Sequence, residues 1–198
     1  MNIEPLLALI RKYESADDYT RVWSGIKRHD HPPKKLTDMT VREVLSWQDG
    51  IDAKYMSEAA GAYQIMEDTL RGMVISGAAD MDERFHRPTQ DRLAEYLMNR
   101  RGLREYLNGE ITPHEFANRL AYEWASLPVT TGPRKGYSQY AGDGLNKAHV
   151  SPDEVLAAVR AVKGKAQVEA IPSKPTFSLS AIIQQFIRAI IEAFRGKA

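Results

Sequence analysis

Three helix-start signals spread along the chain constrain its fold more than any other feature of the sequence. Residues 112–115 and 151–154 each combine a hydroxyl N-cap, a proline at the first helical position and a glutamate at the third. Residues 40–43 form a third capping box, which lacks the proline. Such boxes satisfy backbone amides that a helix otherwise leaves free, so they predict helices that begin at residues 41, 113 and 152.

Apolar spacing and turn residues complete a mainly helical prediction. Phe116, Leu120 and Trp124 recur every four residues and mark a buried helical face. Residues 89–99 form a further predicted helix, and the helix from residue 152 is expected to stop at Gly164. Residues 19–25 alternate in bulk, which predicts one short strand. The expected fold class is therefore α+β, predominantly α, with about six helices and at most a small sheet.

The end of the chain differs in composition from the rest. Residues 1–164 are predicted to form the main domain, and residues 165–176, with two prolines and no apolar period, a linker. Residues 177–198 follow the apolar spacing of an amphipathic helix, and the chain beyond residue 164 holds five Lys/Arg against two Asp/Glu. Two fates are open for residues 179–195: binding to an anionic membrane or lipopolysaccharide surface, or packing on the main domain or a partner helix.

The composition excludes several classes of function. The chain has no cysteine, which excludes disulfides, thiolate metal sites and cysteine nucleophiles. A net charge of +1 gives no global basic character for nucleic-acid binding. His29 and His31 lack a third ligand at zinc spacing, and no cofactor motif is present. The first residues lack the pattern of a signal peptide, and no run reaches the ~18 apolar residues of a membrane span.

Glu14 is the first candidate for chemistry. It follows Leu7 and Ile10 on the apolar face of the first predicted helix, in its last turn. Burial and the negative end of the helix dipole both disfavour the charged carboxylate, so the pKa of Glu14 is expected to rise. A glutamate held protonated near neutral pH is a suitable general acid for a glycosidic oxygen. The same position also fits a glutamate that ends a helix and simply reaches solvent.

Two strings further along the chain have the composition of sugar-binding surfaces. The first holds Gly61, Tyr63 and Gln64, which offer close backbone approach, an apolar plate and an amide. The second holds Tyr137 and Gln139 after a glycine. Each string also has a structural interpretation, the first as a turn that enters a helix and the second as a surface loop.

Taken in order, these segments resemble the lysozyme-like superfamily, and within it the lytic transglycosylases related to the endolysin of bacteriophage lambda. The resemblance spans residues 5–163. The matching segments are residues 14–15, 19–25, 30–32, 35–36, 61–64, 124–128 and 136–140. Residues 37–50 depart from it, because their capped helical pattern stands where that family is expected to have a β-hairpin or loop. Phage virion-associated muramidases share this feature.

The resemblance implies a lysozyme-like fold, in which a cleft separates a helical lobe from a small β-containing lobe. It places the catalytic glutamate of the family on Glu14. The positions it implies for substrate binding, or for support of the glutamate, are Ser15, Tyr63, Gln64, Tyr137 and Gln139.

The number of carboxylates distinguishes two possible reactions. A hydrolase normally needs a second carboxylate, as nucleophile or as base for water. A lytic transglycosylase needs one group, which protonates the bridging oxygen and then deprotonates the C6 hydroxyl of the same muramic sugar. Asp17 and Asp18 fit capping or solvent exposure, and Glu58 is a possible second carboxylate. The sequence favours the transglycosylase and leaves a hydrolytic muramidase open.

The leading hypothesis is a monomeric phage endolysin that cleaves the MurNAc–GlcNAc β-1,4 bond of peptidoglycan without a cofactor. It would be made in the host cytoplasm and act from the periplasm after release through a holin pore, with a virion-associated location as the alternative. Two other classes stay open. One is a wall-binding module without turnover, and the other is a membrane-active lysis protein that acts through its tail.

Overall fold

The computed structural model describes residues 2–144 and 146–162, and these residues are mainly helical. Seven α-helices form in them: α1 (Glu4–Ser15), α2 (Val41–Asp52), α3 (Glu67–Ile75), α4 (Arg87–Arg100), α5 (Leu103–Leu107), α6 (Pro113–Leu120) and α7 (Pro152–Ala161). The predominantly α prediction is confirmed. No helix in this part of the chain is long and apolar enough to cross a membrane. The linker and amphipathic helix predicted for residues 165–198 lie outside the described residues.

The three predicted capping boxes are confirmed. Thr40, Thr112 and Ser151 each accept a hydrogen bond from the amide three residues on, and the glutamate at that position accepts one from the N-cap amide. The predicted helix at 89–99 begins two residues earlier, at Arg87. The helix predicted within residues 37–50 is α2, so the departure from the lambda-type pattern noted above is a real helix.

The short strand predicted for residues 19–25 is not formed. Val22 and Ala60 make a single antiparallel bridge, with the amide of Trp23 donating to the carbonyl of Ala59 at 3.2 Å. Turns on both sides end this pairing, because the amide of Arg21 bonds back to Asp18 and that of Ile26 bonds back to Trp23. Throughout residues 2–144 and 146–162, β structure is limited to isolated bridges, so no β-containing lobe is formed there.

The packing of α1 determines where the candidate site lies. Its buried residues include Leu6, Leu7 and Ile10, and the helix packs against α7 and α4. The other side of α7 is also covered, since α7 packs on α6 as well. Because one whole face of α1 is buried in the core, its last turn is held in place, and that turn carries Glu14.

Candidate active site

An open cleft of about 720 Å³ begins at the last turn of α1. Five further stretches of chain complete its walls: residues 21–24, 56–69, 100–101, 122–126, and residue 140 with residues 146–149. Glu14 and Gln64, both predicted from the sequence, line it together. A volume of this size lies within the range of small-molecule binding sites.

Glu14 is held in the cleft by Ser126. The Ser126 hydroxyl donates to Oε1 of Glu14 at 2.5 Å, and the Ser126 amide donates to the same oxygen at 3.3 Å. Oε2 of Glu14 receives no hydrogen bond from the described residues and is not buried away from solvent. One carboxyl oxygen is therefore fixed by the protein, and the other is free to meet a ligand in the cleft.

The environment of Glu14 favours its protonated form. Burial raises the pKa of the Glu14 carboxyl above its ordinary value, and the two hydrogen bonds from Ser126 oppose this rise because they stabilise the carboxylate. Burial is the larger of the two effects. A raised pKa is the direction of shift that a general acid requires.

The turn that follows Glu14 is fixed by Arg11. Ala16 and Asp17 both adopt left-handed backbone conformations, with φ of 56° and 65°, which cost non-glycine residues about 1 kcal/mol each. The carbonyl of Arg11 accepts from the amide of Asp17, and the Arg11 guanidinium binds the Asp17 carboxylate at 2.7 Å. The same guanidinium binds Glu4 at 2.6 Å. These contacts of Arg11 fix the end of α1, one residue after Glu14.

Gln64 reaches the cleft through an unusual turn. Gly61 has φ of +78° and Gln64 has φ of 48°, and the Gln64 side-chain amide donates to the carbonyl of Gly61 at 2.8 Å. A Cβ at Gly61 would overlap the side-chain amide of Gln90, whose Oε1 accepts from the amide of Ala62 at 2.8 Å. The close approach at Gly61 is therefore to a buried glutamine on α4.

Aromatic rings that were not among the predicted site residues also line the cleft: Trp23, Tyr122 and Tyr140. The Tyr140 hydroxyl donates to the carbonyl of Tyr122 at 2.8 Å, which joins two parts of one wall. Trp23 folds over Gly25, where a Cβ would overlap three carbons of the indole ring. The glycine two residues after a tryptophan is the sequence signal that could have identified Trp23.

Several predicted site residues lie elsewhere. Ser15 is buried and donates to the carbonyl of Arg11 in its own helix at 3.0 Å. Tyr63 is 1% exposed, and its hydroxyl donates to Asp91 on α4 at 2.6 Å, so its ring belongs to the core. Glu58 is buried and accepts the amide of Glu67 at 3.0 Å, which caps α3.

Tyr140 lines the cleft in place of Tyr137 and Gln139, the two residues predicted from the same string. Tyr137 is 63% exposed, and neither it nor Gln139 is among the residues that line the cleft. Tyr140, at the end of the same string, does line it.

The charged groups of the cleft are mainly basic. Arg21, Arg100, Arg101 and Lys147 line it, together with the carboxylates Glu14 and Glu123. Glu123 is 6% exposed and binds Arg100 at 2.8 Å and Arg101 at 2.7 Å. Within the described ranges, no group of three His, Asp or Glu side chains is placed to hold a metal ion.

Comparison with known proteins gives one match. The family model described as Endolysin matches residues 27–151 of the chain. The match includes Gln64, Ser126 and the cleft residues between them, and it begins after α1 and Glu14. Neither curated proteins nor solved structures give a match.

Proposed function

Because the chain belongs to the endolysin family, and is therefore a phage enzyme that degrades the peptidoglycan of the bacterial cell wall, we propose that it acts as a lytic transglycosylase. The bond it breaks is the β-1,4 bond between MurNAc and GlcNAc, and Glu14 acts first as acid and then as base. The observation that carries this proposal is the partly buried Glu14, fixed through Oε1 by Ser126 and open to the cleft through Oε2. Its site of action would be the wall itself, reached from the periplasm.

In the first step, the protonated Glu14 donates its proton to the bridging glycosidic oxygen, and the bond from that oxygen to C1 of MurNAc breaks with the electron pair on oxygen. In the second step, the Glu14 carboxylate accepts the proton of the C6 hydroxyl of the same MurNAc. The C6 oxygen then bonds to C1 and closes a 1,6-anhydro ring. No water is consumed, and Glu14 ends in its starting protonation state. Between the steps, the two Ser126 donors stabilise the carboxylate.

The surroundings of the other nearby carboxylates support this chemistry over hydrolysis. Among the described residues of the cleft, Glu123 is the other carboxylate, and both of its oxygens accept hydrogen bonds from arginines. Glu58, the second carboxylate suggested by the sequence, is occupied in capping α3. A carboxylate held in this way is a poor nucleophile or base for water.

The cleft also offers surfaces suited to a glycan strand. Trp23, Tyr122 and Tyr140 present aromatic surface, which stacks against the apolar faces of sugar rings. Gln64 adds an amide close to the turn at residues 61–64. Together these groups support binding of an extended sugar chain that passes Glu14.

The products of digestion test the proposal. Purified peptidoglycan is digested with the full chain, and the released muropeptides are identified by mass spectrometry. Muropeptides with 1,6-anhydro ends are expected, whereas reducing ends would indicate a hydrolytic muramidase. Wall binding with no released muropeptides would indicate a binding module.

A matched pair of variants tests the residue. Glu14→Gln is expected to lower muropeptide release by at least about 100-fold with an unchanged circular dichroism spectrum. Asp18→Asn is the control, because Asp18 is an exposed residue four positions away whose carboxylate accepts from the hydroxyl and the amide of Thr20. Retained activity in Glu14→Gln would contradict the assignment.

A further inference from the structure

The cleft carries more positive charge than an uncharged glycan backbone requires. Four basic side chains line it, and Glu123 neutralises part of the charge of Arg100 and Arg101 by binding both. Neither Arg21 nor Lys147 has an ion-pair or hydrogen-bond partner for its side chain in the part of the chain that the structure describes, and both are exposed. Two free cations therefore face the same cleft.

These two cations belong to the segments that hold the candidate catalytic groups. The carbonyl of Arg21 accepts from the amide of Gly61 at 2.7 Å, which ties Arg21 to the turn that carries Gln64. Lys147 lies two residues before His149, whose amide donates to the carbonyl of Ser126 at 2.9 Å. A cleft whose charged groups are mainly of one sign attracts ligands of the opposite sign.

We propose that Arg21 and Lys147 bind carboxylates on the muramyl substituents of the strand, so that the enzyme selects acidic glycan over neutral glycan. This inference rests on the proposed function, since it takes peptidoglycan as the ligand. The sugar backbone of peptidoglycan is itself uncharged. Its carboxylates come from the stem peptide or, where the peptide has been removed, from the lactyl group of MurNAc.

The proposal is tested by measuring the affinity of the Glu14→Gln variant of the chain for three soluble preparations of glycan strands. One preparation carries stem peptides with free carboxylates, the second is the same material with its carboxylates amidated, and the third has lost its peptides and keeps free lactyl carboxylates. We expect amidation to weaken binding roughly fivefold at low salt, because each cation is exposed and contributes modestly. Tight binding of the third preparation assigns the lactyl carboxylate, and weak binding assigns the stem peptide.

Charge-removing variants locate the effect. Arg21→Gln with Lys147→Gln, added to Glu14→Gln, is expected to bind all three preparations alike, at the level of the amidated strand. Arg28→Gln with Lys135→Gln makes the same chemical change at two exposed cations outside the cleft and is expected to keep the preference.

Equal binding of charged and amidated strands overturns the proposal, and so does the absence of binding to any preparation. A preference for charged strands that persists in the variant with Arg21 and Lys147 replaced also overturns it. Product analysis with the unmodified protein keeps the two proposals separate. Reducing ends would refute the transglycosylase chemistry and leave the carboxylate preference to be judged by binding alone.

Discussion

The Ser126 hydroxyl donates a 2.5 Å hydrogen bond to Oε1 of Glu14, although the two residues are 112 positions apart in the chain. Ser126 is itself held by the amide of His149, which donates to its carbonyl. Its hydroxyl and its amide both stabilise the ionised carboxylate, whereas burial of Glu14 stabilises the protonated form. The Ser126 contact therefore lowers the pKa of Glu14 against the larger, opposite effect of burial.

Removal of the Ser126 hydroxyl should move the pH profile of the reaction. In the proposed mechanism Glu14 acts first as an acid, so the rate is expected to fall as pH rises through its pKa. Ser126→Ala removes one group that lowers this pKa, so the falling limb is expected to move to higher pH. The maximal rate should fall roughly tenfold, because the carboxylate formed in the first step loses a charge-assisted hydrogen bond. The measurement is the initial rate of muropeptide release across the pH range.

The exposed Ser46 on α2 offers a control, since Ser46→Ala makes the same substitution far from the cleft lining. A limb that stayed in place or moved to lower pH in Ser126→Ala would show that the hydroxyl does not stabilise the Glu14 carboxylate.

Glu14→Gln should raise the thermal stability of the protein at neutral pH. The folded-state pKa of Glu14 lies above its unfolded value, so the unfolded chain loses the proton first as pH rises. The contribution of Glu14 to the free energy of unfolding of the wild type is thus complete below about pH 4. It is lost as pH rises through the pKa that Glu14 has in the folded protein. The glutamine side chain of the variant does not ionise, so the gain in Tm should be absent in acid and grow toward neutral pH, at roughly 2–4 °C per kcal/mol.

Asp18→Asn makes the same chemical change at an exposed carboxylate outside the cleft and is the control. Calorimetric melting curves at several pH values decide the point. If Glu14→Gln melted below the wild type at neutral pH, the burial of the carboxyl would be too slight to matter.

Local signals predicted the helices and the position of Glu14 in the last turn of α1, because both depend on residues close together in the chain. The three capping boxes are formed as expected, and Glu14 lies at the end of the buried face of α1. The side-chain direction of Tyr63 could not be predicted in this way. Its ring turns into the core because Asp91, 28 residues later on α4, accepts its hydroxyl.

The rest of the site depends on contacts between distant segments. Ser126 meets Glu14 only in the folded chain, and Tyr122 and Tyr140 meet through a hydrogen bond across 18 residues. The predicted strand failed for a related reason, since alternating bulk does not reveal the turns that limit pairing to the bridge between Val22 and Ala60. Sequence patterns report local geometry, and the walls of this cleft are not local.

Arg11 should contribute both to stability and to the position of Glu14. Arg11→Met keeps an apolar stem but removes the bonds to Glu4, to Asp17 and to the Tyr63 hydroxyl. We expect a loss of about 2 kcal/mol in the free energy of unfolding, below the cost of breaking a fully buried pair because Glu4 and Asp17 remain exposed to water. Urea unfolding measures this loss.

Arg11→Met also removes the ion pair that holds the left-handed turn at residues 16–17. We therefore expect kcat to fall by a larger factor than KM changes. Arg104→Met, at an exposed arginine on α5, is the control and should alter neither quantity. Unchanged kcat in the Arg11 variant would show that the turn holds its conformation without the guanidinium.

Gly25→Ala should displace the Trp23 ring and weaken substrate binding while leaving the fold stable. The new methyl group would overlap the indole carbons Cζ3, Cη2 and Cε3, so the ring must move from its place in the cleft. Because the obstacle is a side chain rather than backbone, the protein can accommodate it, and the Tm should change little. If Trp23 stacks on a sugar ring, half-saturation by soluble strands should need roughly fivefold more substrate.

Gly50→Ala is the matched control, because a Cβ at Gly50 on α2 meets nothing within 4 Å. That control should keep wild-type binding and gain up to about 1 kcal/mol of stability from better helix propensity. Binding titrations with soluble strands measure this change, and identical titrations for Gly25→Ala and wild type would remove Trp23 from the binding surface.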